Sequence, residues 1–407
     1  MKKKNILIVG NNILTQVIAD KLIQYENCGQ IYIVGSPFNT DTNIQFIDLR
    51  LNSVEEIFEF AVKNSVDLTV VTSKEALKAN ITELFNANDQ MIFAPDVNCV
   101  KTLTDEGMMK KLLYKLKIPT TKFGIFDKAQ SAYEYLKNAN FPLVIQACEP
   151  KNERDIFACS TMSVAKIAIN DLFFKDCDKI LIEEYRSGHR FTLFAITDGF
   201  KVLPVNVCRT EIFSDCPDGG FITFGSASTL PDNIVDYDIQ NHVLKNVLEP
   251  IIRHFEKSGT PYLGFIGARC VMSGEEILVE KIYPVIEDSQ AAVILNSVDE
   301  NLINLFNDCV IGSFTDDYEE IKTNSLSSLS VSLFSKTEEK EIKFSQDIYE
   351  NCKLYLIAKS FNGKLYTHKG FIGVINASAN TLSSARNKLY ESLNSQTLDG
   401  IKYRTDV

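Results

Sequence analysis

The sequence predicts a chain of mixed class, α/β followed by α+β. Three observations carry this. The first hundred residues alternate short β-branched runs with amphipathic segments. The middle two hundred mix strands and helices without that alternation. The last eighty give short strands followed by one helix. At 407 residues, about two to four domains are expected, at roughly 100–200 residues each. Hydrophobic residues at 45% and charged residues at 23% leave ample material for a packed core and exclude wholesale disorder.

In the first part, strands are expected at Asn5–Val9, Gln30–Val34, Leu68–Thr72 and Met91–Ala94, with helices at Thr15–Tyr25, Val54–Lys63 and Lys74–Asn86. This βαβα order implies a parallel, doubly wound, Rossmann-like layer over residues 1–100, with ligands favoured at the carboxyl ends of its strands. The first such end is Gly10-Asn11-Asn12. A dinucleotide fingerprint would need Gly-x-Gly-x-x-Gly there and only Gly10 is present, so a plain strand-to-helix turn is the better reading and NAD is not expected. The opening Met1–Gly10 has a basic start and an apolar run, but no cleavage site follows, and it reads as the first strand.

From residue 101 a helix is expected over Thr104–Leu116, leading into Ile118-Pro119-Thr120, then a strand, a helix over Ala129–Asn138 and a strand over Pro142–Ala147. Further strands are expected at Lys179–Glu184, Arg190–Thr197, Lys201–Val207, Leu263–Met272 and Glu276–Ile282, with a long helix over Asp238–Lys257. The serine-rich stretch Ser325–Ser330 reads as weakly linker-like. Beyond it come strands at Lys353–Ala358, Lys364–His368 and Gly370–Asn376, and a helix over Thr381–Leu393.

Charge and cysteine usage narrow the function. Lys+Arg 42 against Asp+Glu 53 gives a net charge of −11, which argues against nucleic acid as the main partner. The longest apolar runs are too short to span a bilayer. The ten cysteines form no Cys-x-x-Cys pair and no metal spacing with histidine, so they read as reduced, buried small hydrophobes and the cytosol is the expected compartment.

Four stretches identify a family. They are Ile182-Glu183-Glu184-Tyr185-Arg186-Ser187-Gly188; Gly259-Thr260-Pro261-Tyr262-Leu263-Gly264-Phe265 leading to Ile277-Leu278-Val279-Glu280; Lys117-Ile118-Pro119-Thr120; and Asn380-Thr381-Leu382-Ser383-Ser384-Ala385-Arg386 with the tail Gly400–Val407. In this order and at these separations they resemble glycinamide ribonucleotide synthetase (phosphoribosylamine–glycine ligase), a family of ATP-grasp enzymes. The resemblance implies a Rossmann-like pre-ATP-grasp domain over 1–100, a two-lobed ATP-grasp domain over 101–314 with a mobile lobe at about 121–188, and a C-terminal domain over 325–407. It implies ATP and Mg²⁺ as cofactors and small-molecule substrates, glycine and phosphoribosylamine, joined through glycyl phosphate. A monomer or homodimer is expected.

The resemblance also places candidate site residues. Glu183, Glu184, Tyr185 and Arg186 fall on an edge strand whose backbone meets the adenine; the alternative is an ordinary strand end kept for packing. His189 or Arg190 stands where the family has a ribose-binding glutamate, and a solvated loop histidine is the other reading. The family's glycine-rich phosphate loop corresponds to Gln146-Ala147-Cys148-Glu149-Pro150-Lys151-Asn152-Glu153-Arg154-Asp155, without a glycine. Gln146 replaces a lysine, Arg154 stands near the loop lysine, and a further family lysine aligns with Glu106. Glycine-free backbone wraps phosphate poorly, and Pro150 removes a donor. Glu280 matches a magnesium ligand whose asparagine partner has become Ile282; Glu287 and Asp288 are the other candidate ligands, or merely solvated acids. The following family motif is replaced by Tyr283-Pro284-Val285-Ile286, and another glycine-rich loop is shortened to Cys216-Pro217-Asp218-Gly219-Gly220. Gly10, Asn11 and Asn12 hold the substrate position of the N-terminal domain, without the family's clamp.

Descent therefore points to a phosphoribosylamine–glycine ligase, while the residue chemistry points to impaired or absent turnover. The alternatives are a non-catalytic homologue that binds a ligand or partner, and an ATP-grasp ligase for another amine and carboxylate.

Overall fold

The computed structural model describes residues 3–38, 42–216, 219–314, 318, 320–357, 359–361, 364–396 and 398–407. The chain opens with β1 (Lys4–Val9), α1 (Ile13–Leu22), β2 (Cys28–Val34), β3 (Ile44–Ile47), α2 (Val54–Lys63), β4 (Leu68–Val71), α3 (Lys74–Lys78), α4 (Ile81–Asn86) and β5 (Ile92–Phe93). The strands form one parallel sheet in the order β3-β2-β1-β4-β5, the doubly wound layer expected from the alternation. The helix expected over Lys74–Asn86 is two helices, because Asn80 takes a left-handed conformation (φ 67°) that no helix continues through.

A second break falls at Asp105. Helices α5 (Val97–Thr104) and α6 (Glu106–Lys115) meet there, and the extended Asp105 caps α6 by accepting from the Met108 amide. The small lobe follows: β6 (Phe123–Phe126), α7 (Ala129–Leu136), β7 (Leu143–Ala147), β8 (Ile156–Cys159), α8 (Met162–Phe174) and β9 (Ile180–Glu184). Its sheet runs β6-β9-β7-β8 and has a core of its own, built from Ala132, Ile145, Ile169 and Ile182 among others.

The large sheet holds β10 (His189–Thr197), β11 (Val202–Asp215), β12 (Gly219–Leu230), β13 (Gly264–Ser273) and β14 (Glu276–Tyr283). Between β12 and β13 lie α9 (Tyr237–Val243), a single π-helical turn (Leu244–Leu248) and α10 (Glu249–Lys257). The long helix expected here is thus locally unwound just before Pro250, whose ring and missing N–H disrupt the α-helical ladder. Helices α11 (Asp288–Ser297) and α12 (Leu302–Val310) then wedge between this sheet and the N-terminal layer.

The remaining elements are β15 (Ser327–Ser335), β16 (Glu341–Ile342), α13 (Gln346–Asn351), β17 (Lys353–Leu356), β18 (Lys359–Phe361), β19 (Lys364–Tyr366), β20 (Gly370–Ala379), α14 (Leu382–Asn394) and β21 (Ile401–Lys402). The serine-rich stretch is not a linker: β15 is buried along its whole length and pairs with β12 on one side and β20 on the other. One sheet, β14-β13-β10-β11-β12-β15-β20-β17, therefore runs unbroken from the middle of the chain into its last third. Pro217 and Asp218, in the shortened loop, lie outside the described residues.

Candidate functional site

The cleft between the small lobe and the large sheet is where the family resemblance puts the nucleotide, and it is almost filled. The cavity left there is about 40 Å³. That admits a few waters at most, against the 300–1,000 Å³ of a typical small-molecule site. Gln146, Glu183, Glu184, Tyr185 and Glu280 line it, together with Arg190, Arg269, Glu106 and Lys281. Arg154, Arg186 and His189 do not.

Apolar packing closes this cleft from one side. Ile156 on β8 and Val144 on β7 meet Ile212 and Phe213 on β11 and Ile222 and Phe224 on β12 in one cluster. Two buried ionic networks close the other. In the first, the fully buried Lys110 ammonium lies 2.8 Å from Glu183 and donates to the Thr120 and Thr121 hydroxyls at 2.9 Å. Thr121 and the Gln146 amide donate to the same carboxylate at 2.6 and 3.3 Å. In the second, Glu280 accepts from Arg190 through Nε (3.1 Å to each oxygen) and Nη2 (2.9 Å), with Arg269 Nε at 3.2 Å. Burial pushes the Glu280 carboxyl up, but the two guanidiniums outweigh it and hold it below the usual carboxylate range. Arg190 in turn stacks on Tyr185, with 5.0 Å between guanidinium carbon and ring centroid.

These contacts revise several sequence-based assignments. Glu183–Arg186 do not end an edge strand: β9 has β6 on one side and β7 on the other. The amides of Glu184 and Tyr185 are already donated to the carbonyls of Lys122 and Pro142. His189 is not a solvated loop histidine, because its Nε2 lies 2.6 Å from the buried Asp232. Arg186 reaches outward to Glu184 and Glu276 at 3.5 and 3.7 Å.

The phosphate-loop segment satisfies itself. Asn152 caps a 3₁₀ turn over Glu153–Asp155 by accepting from the Arg154 amide, and Asp155 accepts from the amides of Lys151 (2.9 Å) and Asn152 (3.4 Å). The backbone donors that would wrap a phosphate are thus taken by the loop's own side chains, and the Arg154 side chain is exposed.

The candidate metal ligands do not form a site for Mg²⁺ as arranged. Both Glu280 oxygens are held by guanidiniums. Glu287 is paired with Lys74, which with Lys281 outweighs burial and depresses its carboxyl. Asp288 accepts the Ile13 amide at 3.0 Å, and burial next to Glu287 pushes its carboxyl up to about 7. Hard dications need several free anionic oxygens converging on one point. No group of three or more potential metal-binding side chains occurs among the described residues.

Gly10, Asn11 and Asn12 act within the fold. A Cβ at Gly10 would lie 1.8 Å from the Thr72 hydroxyl, so the turn admits nothing larger. Asn12 caps α1 through the Thr15 amide and donates to the Thr72 carbonyl at 3.0 Å; Asn11 accepts from the Ser36 amide. The N-terminus of α1, which the topology makes a natural anion position, is occupied by the chain's own Asp288.

A second, open cleft of about 290 Å³ lies at the junction of α3, the start of α6, the 149–151 loop and the end of β14. Four lysines and four glutamates line it: Lys74, Lys78, Lys151 and Lys281 against Glu75, Glu106, Glu149 and Glu287. Lys281 lies 2.7 Å from Glu106 and Lys78 lies 3.4 Å from Glu149. Sequence reasoning missed Lys110, Arg269, Lys281 and Lys78. For Lys110 a signal existed, since it and Glu106 lie four residues apart on the apolar face of an amphipathic helix, where unpaired charge is not tolerated.

Comparison with known proteins agrees with this architecture. Residues 4–101 match the N domain of phosphoribosylglycinamide synthetase, and residues 104–284 match its ATP-grasp (A) domain. Among curated relatives, the phosphoribosylamine–glycine ligases of Lactococcus lactis and Caldanaerobacter subterraneus are 22% and 24% identical, over 99% of this chain and 98% and 99% of theirs. Among solved structures, phosphoribosylamine–glycine ligase from Thermotoga maritima superposes with a TM-score of 0.74 at 16% identity, covering 99% of both chains. An ADP complex of N5-carboxyaminoimidazole ribonucleotide synthetase gives 0.71 at 10% identity, covering 97% of both. With both domain models matched in order along one continuous fold, the chain belongs to the phosphoribosylglycinamide synthetase family and is a phosphoribosylamine–glycine ligase-like ATP-grasp protein.

Proposed function

We propose that the protein is an ATP-dependent carbon–nitrogen ligase that joins glycine to phosphoribosylamine, and that the closed interlobe cleft is its resting arrangement. ATP would enter when the lobe at about 121–188 swings away from β11 and β12, uncovering Glu183–Arg186, Gln146 and Arg190. One observation carries the reading: the interlobe cavity and the junction cleft share a wall, made by Glu106, Phe224 and Lys281. A nucleotide on one side of that wall and a small carboxylate and amine on the other would be neighbours, and the opening of the lobe that admits ATP would also have to join the two spaces for phosphoryl transfer. The equal numbers of lysine and glutamate in the junction cleft suit a zwitterionic amino acid and a phosphorylated amine, each carrying both charges. We place the protein in the cytoplasm, as a monomer or homodimer; no helix among the described residues is long and apolar enough to cross a membrane.

A second reading, a homologue that binds without turnover, is favoured by the arginine clamp on Glu280 and by the self-satisfied phosphate loop. The test is calorimetric titration with ATP in excess Mg²⁺, followed by measurement of ADP release with glycine and phosphoribosylamine present. Saturable binding and ADP release that requires both substrates support the ligase. Absence of heat up to millimolar ATP leaves the binding reading.

A further inference from the structure

Resting on the ligase reading, we propose that Lys281 is a catalytic residue: its ammonium meets the phosphoryl group as it crosses from nucleotide to carboxylate. The argument is positional. Arg190 and Arg269 face the interlobe cavity alone, and are paired with Glu280 as Lys281 is with Glu106. Lys74, Lys78 and Lys151 face the junction cleft alone. Among the described residues lining either space, Lys281 is the one cation that lines both. It projects from β14 beside Glu280, is mostly buried, and is flanked by the rings of Phe224 and Tyr283, whose centroids lie 5.2 and 5.5 Å from its Nζ. A cation packed against low-dielectric walls acts on developing charge far more strongly than one in water.

In the first step a carboxylate oxygen of glycine attacks the γ-phosphorus. The new O–P bond forms as the bond to the bridging oxygen breaks, and that electron pair leaves with ADP. In the second, the amine nitrogen attacks the acyl carbon, the C–O bond breaks with its electrons going to inorganic phosphate, and the amine loses a proton to solvent. The phosphoryl oxygens carry the charge throughout, and at the shared wall they lie next to Lys281. Glu106, 2.7 Å away, holds the ammonium in place until those oxygens take over. The sequence puts Glu106 where the family has a lysine, so the cation at this wall now stands on the facing strand.

The experiment measures ADP formation, with kcat and KM for ATP separated, in the intact protein and in Lys281→Met, Lys281→Arg and the double variant Lys281→Met/Glu106→Gln. The double variant avoids leaving Glu106 buried without a partner, so its folding, checked by circular dichroism, does not confound the result. The expected outcome for both Met-containing variants is a fall in kcat of about 100-fold or more, with KM for ATP within about twofold, by comparison with other single transition-state contacts. Lys281→Arg should recover a substantial part of the loss. A double variant that is folded and turns over like the unaltered protein overturns the role of Lys281 and leaves the ligase reading standing. An unaltered protein that binds ATP yet forms no ADP overturns both.

Discussion

The two clefts that meet at Glu106, Phe224 and Lys281 are held by different forces. On the interlobe side, Ile156, Ile212, Phe213 and Ile222 are each less than 9% exposed, and burial of a large aliphatic or aromatic side chain is worth about 1.5–3 kcal/mol. Most ionic groups there are also buried and paired, although Arg269 Nε and one Glu184 oxygen make no hydrogen bond. On the junction side the Lys78–Glu149 pair has side chains 33% and 60% exposed, the regime in which ion pairs contribute about 0–1 kcal/mol. Opening the first cleft means breaking a small core, whereas the second is already open and its outer pair, Lys78–Glu149, is weak, with the buried Lys281–Glu106 pair lying deeper in it. The difference assigns the barrier to opening the interlobe cleft to the apolar cluster, and leaves the junction the more accessible of the two.

The comparison breaks most directly at Lys110. Lys110→Met keeps the shape of the side chain and leaves Glu183 buried beside Thr121 and Gln146 without its cation. Loss of about 3–5 kcal/mol of stability is expected, as for other half-broken buried pairs, measured by chemical denaturation. A loss below about 1 kcal/mol would mean that the interlobe side is no more tightly held than the surface pairs.

Asp288, which ties α11 to the N-terminus of α1, gives the next effect. Its carboxyl is raised from 3.8 to about 7, so between these values the folded protein binds more protons than the unfolded chain and stability falls as pH rises. Its protonation thus stabilises the fold fully below pH 3.8 and stops doing so above pH 7. Asp288→Asn keeps an acceptor for the Ile13 amide and removes the titration. The variant should match the unaltered protein near pH 4 and exceed it at pH 8 by about 2–4 kcal/mol, at 1.36 kcal/mol per unit. Melting temperatures that stay parallel from pH 4 to 8 would show that Asp288 does not titrate in this range.

Much of the fold was legible because it follows local periodicity. Four strands of the parallel layer (β1, β2, β4 and β5), the Val54–Lys63 helix and β10, the first half of β11, β13 and β14 of the large sheet stand close to where alternation puts them, whereas β3, β12 and β15 were not expected. The Ser325–Ser330 stretch misled because serine reads as solvent-facing. In the structure Ser328 and Ser330 accept from the buried Asn376 amide and Ser332 donates to the Gly225 carbonyl, while Leu329, Val331 and Leu333 face the apolar core. The period-2 alternation of serine with Leu, Val and Leu was itself the strand signal. The site was less legible. The motifs located Gln146, Glu183 and Glu280 in one place, but two partners that decide what these residues can do, Lys110 for Glu183 and Arg190 for Glu280, lie 73 and 90 residues away in sequence, and Arg269 reaches Glu280 from the neighbouring strand β13. Charge pairing across elements has no local pattern to read.

The apolar side of the comparison is sharpened by Ile222→Ala. A loss near the low end of the range for buried aliphatics, about 2 kcal/mol, is expected, and it should fall on lobe closure rather than on global unfolding. Protease cleavage of the 148–155 segment should accelerate while the denaturation midpoint of the large sheet moves little. Uniform destabilisation without faster cleavage would mean that the lobe does not open as a unit.

The smallest expected effect is at Lys78. Lys78→Met removes an exposed pair 3.4 Å long between α3 and the 149–151 loop, so stability should change by less than about 1 kcal/mol, and by less still as salt screens the pair. Ligand affinity is the sharper measure. If the junction cleft receives a phosphorylated amine, Lys78 exchanges a glutamate for a doubly charged group, and its loss should weaken binding of that substrate severalfold at low salt while leaving ATP affinity unchanged. A stability change larger than the binding change would reverse the assignment of roles: the Lys78–Glu149 contact would then be part of what holds the loop down, and the junction cleft would be no readier for ligands than the interlobe cavity.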